Sequence, residues 1–89
     1  MAIHLLWQAD VADFDAWHAV FQEDRKAQHA AGLTTLHVWK DPEQPNHALV
    51  LFAVSDREKA KAFLKSDDLA MHLERGGVAH VQMKLLEAV

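Results

Sequence analysis

Histidine stands out among the residues of this chain that could do chemistry, because seven of its 89 residues are histidine. A histidine can act as a general base near neutral pH, since its ordinary pKa is about 6.5. Cysteine is absent, which excludes disulfides, thiolate nucleophiles and cysteine-ligated metals. Three tryptophans add large aromatic surfaces of the kind that line small-molecule pockets.

The first third of the chain predicts a strand followed by a long helix. The apolar run from Ile3 to Trp7 has a length that suits a strand better than a helix. Aromatic and aliphatic residues then recur at helical spacing, with Asp13 as N-cap, and predict a helix from about Asp13 to Ala31. Gly32 should end this helix, because glycine readily adopts a positive φ.

The middle of the chain predicts a hairpin of two strands. Leu33 to Lys40 is rich in threonine, valine and tryptophan, and His47 to Val54 is almost entirely apolar. Residues 41–46 contain both prolines of the chain together with Asp and Asn, which is turn chemistry.

The last third predicts a second helix and a fourth strand. Ser55 and Glu58 form a capping-box pattern that would open the helix, and Ser66 would restart it. Gly76 and Gly77 should end it, and the segment from Ala79 to Leu86 alternates between apolar and polar residues as a strand does.

This βαββαβ order predicts one α+β domain of the ferredoxin-like class over residues 1–89, since the length supports one hydrophobic core. Two helices would lie on one face of a four-stranded antiparallel sheet with strand order 4-1-3-2. The third strand is apolar on both faces, with Leu49 and Leu51 pointing one way and Val50 and Phe52 the other. Two helices can cover only one face, so we expect a second copy of the chain to cover the other.

Three stretches carry a family resemblance that spans nearly the whole chain: VADFDAWHAVF, AAGLTTLHVWKDPEQPNHALVLFAVSD and KAKAFLKSDDL. In them the chain resembles the dimeric α+β-barrel superfamily, which includes antibiotic-biosynthesis monooxygenase-like domains, and most of all its small bacterial members. The resemblance implies a homodimer whose sheets meet as a barrel, often with a small-molecule pocket in each protomer. Members include cofactor-independent oxygenases, isomerases, haem-degrading enzymes and proteins without known activity, so the fold does not name a reaction. Haem-degrading members use an Asn, Trp and His set, and the first strand here has no Asn.

One end of the predicted sheet should gather aromatic and imidazole side chains. The first and second strands end there with Trp7 and Trp39, and the fourth strand begins there with His80. The first helix brings Trp17 to the same end, and the second helix brings His72. We therefore predict that the three tryptophans bind a substrate and that His72 or His80 acts as a catalytic general base. In an oxygenase, that base would deprotonate a phenol or an enol, and the anion would react with dioxygen.

Each of these residues also has a structural interpretation. Trp17 lies on the apolar stripe of its helix and could be plain core, while Trp7 and Trp39 could serve barrel or interface packing. His72 lies between leucines, which fits a partly buried histidine with a hydrogen bond. His80 is on the polar face of an edge strand, where it would be exposed to solvent.

Neither a metal nor a cofactor is predicted. Three or four ligands must converge on a metal, and the predicted strand pairing places His4 and His80 more than about 10 Å apart. Neither helix has histidines at i and i+4, and the chain has no glycine-rich phosphate loop and no serine-centred elbow.

The formal charge of −4 and the scattered lysines argue against nucleic-acid binding, which usually needs a basic stripe. Apolar runs stay well below the roughly 20 residues of a membrane helix, and the first residues lack signal-peptide features, so we expect a cytoplasmic protein. The leading hypothesis is a homodimer that binds a small apolar or aromatic molecule, with cofactor-independent monooxygenase or isomerase activity left open. The alternatives are a non-catalytic ligand-binding or sensing module, and a protein whose sheet face serves assembly only.

Overall fold

The computed structural model describes residues 2–89, which form four strands and four helices. In chain order they are β1 (Ile3–Val11), α1 (Phe14–Glu23), α2 (Arg25–Ala30), β2 (Leu33–Lys40), β3 (His47–Val54), α3 (Arg57–Leu64), α4 (Asp67–Arg75) and β4 (Val78–Glu87). None of the helices in these residues has the length and hydrophobicity that a membrane crossing demands.

The four strands form one antiparallel sheet in the order β2-β3-β1-β4, with the hairpin on one side of β1 and β4 on the other. These are the neighbours that the order 4-1-3-2 requires, so the predicted topology and the α+β ferredoxin-like fold class are confirmed. β2 and β3 have the predicted bounds. β1 is longer than predicted and reaches Val11, because Ala9 and Val11 continue the buried alternation of the strand.

The predicted long helix is wrong in one respect, because it is broken at Asp24 into α1 and α2. The backbone N–H of Asp24 donates to the carbonyl of Phe21, three residues back, which tightens the last turn of α1. The chain then restarts as α2, whose first bond runs from the N–H of Gln28 to the carbonyl of Asp24. Asp24 and Gln28 are both buried at this break.

The predicted capping box at the second helix is also wrong. Asp56, not Ser55, is the N-cap of α3, and its carboxylate accepts the backbone N–H of Lys59 at 3.0 Å. The backbone N–H of Ser55 instead donates to the carbonyl of Gly32, which ties the start of β2 to the end of β3. Ser66 is the N-cap of α4, as predicted, and accepts the backbone N–H of Leu69 at 3.2 Å.

The core lies between the helices and one face of the sheet. Leu5, Trp7 and Ala9 of β1 alternate into it, and Trp17 and Phe21 of α1 pack against them. The other face, which we call the outer face, carries the alternate residues of each strand. On it Leu6 pairs with Leu51 and Trp39 with Leu49, and Trp39 is 44% exposed. The third strand is therefore apolar on both faces, as predicted, while its neighbours also bring His4, Gln8 and His37 to the outer face.

Candidate functional site

A partly open cavity lies between the helices and the core face of the sheet. Its volume, with the part open to solvent included, is about 510 Å³. The enclosed part of this space has room for several water molecules. The walls are mainly aromatic and aliphatic, and the polar side chains that line them are Asp24, Gln28 and His72.

The aromatic wall is built around Trp7 and Trp17, whose rings stack with centroids 5.8 Å apart and planes 6° from parallel. Phe21 extends the wall at 5.2 Å from Trp17, and Phe52 of β3 follows at 6.2 Å from Phe21. Both tryptophans belong to the buried core and also line the cavity. They lie where the substrate-binding prediction placed them, although their binding role stays a prediction.

His72 reaches the cavity from α4, between Leu69 and Leu73, which line the same space. Its Nε2 atom lies 3.6 Å from Oδ1 of Asp24, and we call these two residues the cavity pair. The His72 side chain is 30% exposed, whereas the Asp24 side chain is only 6% exposed. The predicted base therefore has a buried carboxylate as its neighbour.

Sequence analysis missed Asp24 and Gln28, although their spacing could have revealed them. The buried residues Trp17 and Phe21 are followed at the same helical spacing by positions 24 and 28. Polar residues that continue an apolar stripe must be buried, and buried polar groups need partners. Gln28 has one in Thr35, whose hydroxyl donates to its amide oxygen at 3.5 Å.

Trp39 does not line the cavity. Its ring stacks on His37 of the same strand, with centroids 5.1 Å apart, and both lie on the outer face. A register shift between Thr35 and His37 inserts Leu36 as an extra residue in β2, and beyond it the side chains change faces. The predicted placement of Trp39 beside the other two tryptophans is therefore wrong.

His80 does not line the cavity either. Its Nδ1 atom lies 2.9 Å from Oδ2 of Asp10, and the Nδ1 atom of His47 lies 2.9 Å from Oδ1 of the same carboxylate. We call these three residues the surface cluster. The His80 side chain is 82% exposed, as the structural interpretation of this residue expected.

The surface cluster combines a carboxyl of shifted pKa with an unusual backbone conformation. Hydrogen bonds from His47 and then from His80 lower the pKa of the Asp10 carboxyl below its ordinary value. His80 has φ of 54°, a left-handed conformation that is uncommon for residues other than glycine. It occupies the register shift between β1 and β4, opposite the segment between Gln8 and Asp10. Among the side chains that the structure describes, no group of three or more His, Asp or Glu is arranged to hold a metal ion.

The cavity pair has the chemical parts of a general base. An imidazole in an aromatic cavity can take a proton from a bound ligand, and a neighbouring carboxylate stabilises the imidazolium that forms. The apolar walls lower the local polarity, which strengthens the electrostatic contacts inside. The arrangement therefore suits proton abstraction from a small, largely apolar molecule.

No protein-family model matches the chain, and a search of curated proteins found no match. Solved structures do match over nearly its whole length. A protein described as an antibiotic biosynthesis monooxygenase from Bordetella bronchiseptica has 15% identity and a TM-score of 0.80, covering 99% of this chain and 97% of that one. Its counterpart from Deinococcus radiodurans has 17% identity and a TM-score of 0.70, covering 98% and 92%.

A third similar structure is SnoaB, a cofactor-independent oxygenase from Streptomyces nogalater, with 12% identity and a TM-score of 0.71. The match covers 99% of this chain and 93% of that chain. The chain therefore has the α+β fold of antibiotic biosynthesis monooxygenase-like domains, and the resemblance inferred from the sequence is confirmed at the level of the fold.

Proposed function

We propose that this protein binds a small, largely apolar or aromatic molecule in the cavity and removes a proton from it with His72. The observation that carries the proposal is the cavity pair, a histidine and a buried carboxylate inside an aromatic wall. Trp7 and Trp17 would contact the ligand through their ring faces or edges. Of the two histidines considered as the base, His72 is favoured because His80 lies outside the cavity.

The reaction class is cofactor-independent oxidation or isomerisation. A phenol or enol hydroxyl would give its proton to the His72 imidazole, leaving an electron-rich anion. In an oxidation the anion would react with dioxygen, so that one oxygen atom adds to a substrate carbon and the other leaves as water with two hydrogen atoms lost by the substrate. In an isomerisation the proton would return to another atom of the same molecule. The fold shared with a cofactor-independent oxygenase supports the first of these.

The protein also acts as a homodimer in this proposal, with the outer faces of two sheets packed together. Leu6, Leu49 and Leu51 are only partly buried in one chain, and Trp39 beside them is 44% exposed. An apolar face of this kind is unusual on a monomer, and a two-fold axis would let the same surface cover itself. Sedimentation at micromolar concentration checks this, and a lone particle of 10.0 kDa would refute it.

The function is tested with hydroquinones and enolisable ketones as probes, by measuring their binding and their consumption of oxygen. We expect His72→Ala to lower turnover by about 100-fold or more, the usual contribution of a general base. His80→Ala is the matched control, because it removes a histidine that also contacts a carboxylate, outside the cavity, and should leave turnover close to wild type.

The outcomes separate the alternatives. Equal turnover in the wild type and in His72→Ala would remove the proposed base. Saturable binding without oxygen uptake or isomerisation would indicate the non-catalytic ligand-binding module. No binding of any probe, together with a stable dimer, would indicate a protein whose sheet face serves assembly only.

A further inference from the structure

The cavity wall contains a buried amide whose donating end has no partner within the protein. Gln28 is 5% exposed and lines the cavity together with aromatic and aliphatic side chains. The oxygen of its amide accepts a hydrogen bond from the hydroxyl of Thr35 at 3.5 Å. Its Nε2 atom, which carries two N–H donors, makes no hydrogen bond to any other residue that the structure describes.

The Nε2 atom of Gln28 reaches the space inside the cavity. Among the described residues, every buried side-chain nitrogen or oxygen that is sealed from solvent has a hydrogen-bond partner. Because Nε2 has none, it is not sealed, and the accessible space that Gln28 lines is the cavity. Its two donors are therefore available to a molecule bound there.

The fold places this amide beside the aromatic wall. Gln28 lies on α2, one turn after Asp24, and Thr35 lies on β2 directly opposite Phe52. Phe52 and Phe21 form one part of the wall and line the same cavity. An aromatic ring packed against these phenylalanines therefore has the Gln28 amide as a neighbouring donor.

A buried donor discriminates between ligands by the cost of leaving it unpaired. A hydrocarbon that filled the cavity would displace water and leave the two N–H groups of Gln28 without an acceptor. A ligand of the same shape with an acceptor oxygen in this place would satisfy a donor. Sites built to hydrogen-bond a ligand group reject analogues that lack the group, and the cavity is expected to do the same.

We propose that Gln28 is a specificity-determining residue, which donates a hydrogen bond to a carbonyl oxygen of the ligand and selects aromatic ketones over aromatic hydrocarbons. This inference rests on the proposed binding of an aromatic molecule in the cavity. Removal of a proton from the carbon beside the carbonyl group gives an enolate, whose negative oxygen accepts a stronger hydrogen bond than the ketone does. The same amide therefore suits both the binding of an enolisable ketone and the proposed proton abstraction.

Two probes of similar shape, 1-indanone and indane, test the inference, because only the ketone has an acceptor oxygen. Calorimetric titration gives the dissociation constant of each, and the quantity compared is the value for indane divided by the value for 1-indanone. Gln28→Met keeps an unbranched side chain of similar length and removes both donors. This variant should lower the ratio about 5- to 30-fold, which is the effect expected from losing one buried hydrogen bond and its desolvation penalty.

Gln22→Met is the matched control, because it makes the same replacement at an exposed glutamine of α1 that does not line the cavity. It should keep the wild-type ratio. A ratio that is the same in Gln28→Met and in the wild type would overturn the proposal.

A second measurement needs no variant and decides the question if Gln28→Met does not fold. Proton NMR of the wild type follows the side-chain NH₂ signals of Gln28 during titration with each probe. The two probes share their aromatic ring, so 1-indanone should move these signals downfield relative to indane through the hydrogen bond alone. Equal shifts with the two probes would contradict the proposal.

The result is separable from the test of function. Binding of both probes with a ratio unaffected by Gln28→Met would remove the role of Gln28 and leave the ligand-binding cavity standing. A ratio that depends on Gln28, in a protein whose turnover does not depend on His72, would retain Gln28 and remove the proposed base. Binding of neither probe would remove both the role of Gln28 and the proposed binding of aromatic molecules.

Discussion

Among the described residues, two groupings of histidine and aspartate share their functional groups and differ in their surroundings. In the cavity pair, the Asp24 side chain is 6% exposed and aromatic rings form the neighbouring walls. In the surface cluster, the Asp10 side chain is 51% exposed and that of its partner His80 is 82% exposed. The contacts in the surface cluster are the shorter ones, at 2.9 Å against 3.6 Å.

The shorter distances do not make the surface cluster the better chemical site. Contacts between exposed charges are weakened by water and by salt, and they contribute little to stability. The same groups inside a cavity interact more strongly, and a ligand can be held against them away from water. Whether a histidine can act as a base on a bound molecule is therefore set here by its enclosure more than by the length of its contact.

The largest effect is expected from removing the wall that encloses the cavity pair. Trp17→Ala deletes a ring that is 3% exposed and stacked on Trp7, so it should lower the free energy of unfolding by about 3–5 kcal/mol. Urea denaturation measures this. Met71→Ala is the control, because Met71 is 62% exposed on α4, and its effect should stay within about 0.5 kcal/mol. If Trp17→Ala and Met71→Ala lowered the free energy of unfolding by similar amounts, the aromatic wall would not be tightly packed.

The next effect compares one histidine from each grouping. His72→Ala leaves the buried carboxylate of Asp24 without the imidazole beside it, which should cost about 1–3 kcal/mol of unfolding free energy. His80→Ala removes an exposed contact and should cost less than about 1 kcal/mol. Urea denaturation of the two variants side by side measures both losses of unfolding free energy. A larger loss for His80→Ala than for His72→Ala would contradict the prediction.

A smaller effect tests the backbone strain at His80 separately from the side-chain contact to Asp10. His80 has φ of 54°, where an L side chain is strained by about 1–2 kcal/mol and glycine is not. His80→Gly should therefore be more stable than His80→Ala by about 1 kcal/mol, although both lose the contact to Asp10. Thermal unfolding of the pair measures the difference, and a less stable glycine variant would contradict the strain.

The smallest effect is a pH dependence of stability that arises in the surface cluster. The pKa of Asp10 lies below its ordinary value of 3.8 because His47 and His80 donate hydrogen bonds to the carboxylate. Its contribution to stability is thus complete above pH 3.8 and is lost as the pH falls through the lower pKa of the folded state. Acid unfolding of Asp10→Asn should lack this component, so the stability difference between wild type and variant should narrow as the pH falls. If the stability difference between wild type and Asp10→Asn did not change with pH, the Asp10 carboxyl would not be the source of the pH dependence.

Most of the fold could be predicted from the sequence because its boundaries are set by local chemistry. Gly32 and the two prolines of the turn fix where the hairpin strands begin and end, and the predicted bounds of β2 and β3 match the structure. The break at Asp24 could not be predicted from helical periodicity, because positions 24 and 28 continue the spacing of Trp17 and Phe21 without interruption.

The candidate site was predicted in part, for reasons that lie in long-range structure. Trp7, Trp17 and His72 follow strict strand or helix periodicity, and the structure brings them to one cavity. Trp39 was misplaced because simple alternation from buried Leu33 would put it on the core face, and nothing local in the sequence announces the extra residue at Leu36. Asp24 was missed because a polar residue on an apolar stripe was not considered as a buried one.

The extra residue at Leu36 affects which face of the sheet the side chain of Trp39 occupies. Deleting that single residue would remove the bulge and leave Thr35 and His37 as neighbours on opposite faces, so Val38 would stay on the core face and Trp39 on the outer face. Because the bulge absorbs one residue, each side chain after it takes the opposite face from the one that uninterrupted alternation of the same residues would give it, and the indole of Trp39 lies outside the cavity for that reason.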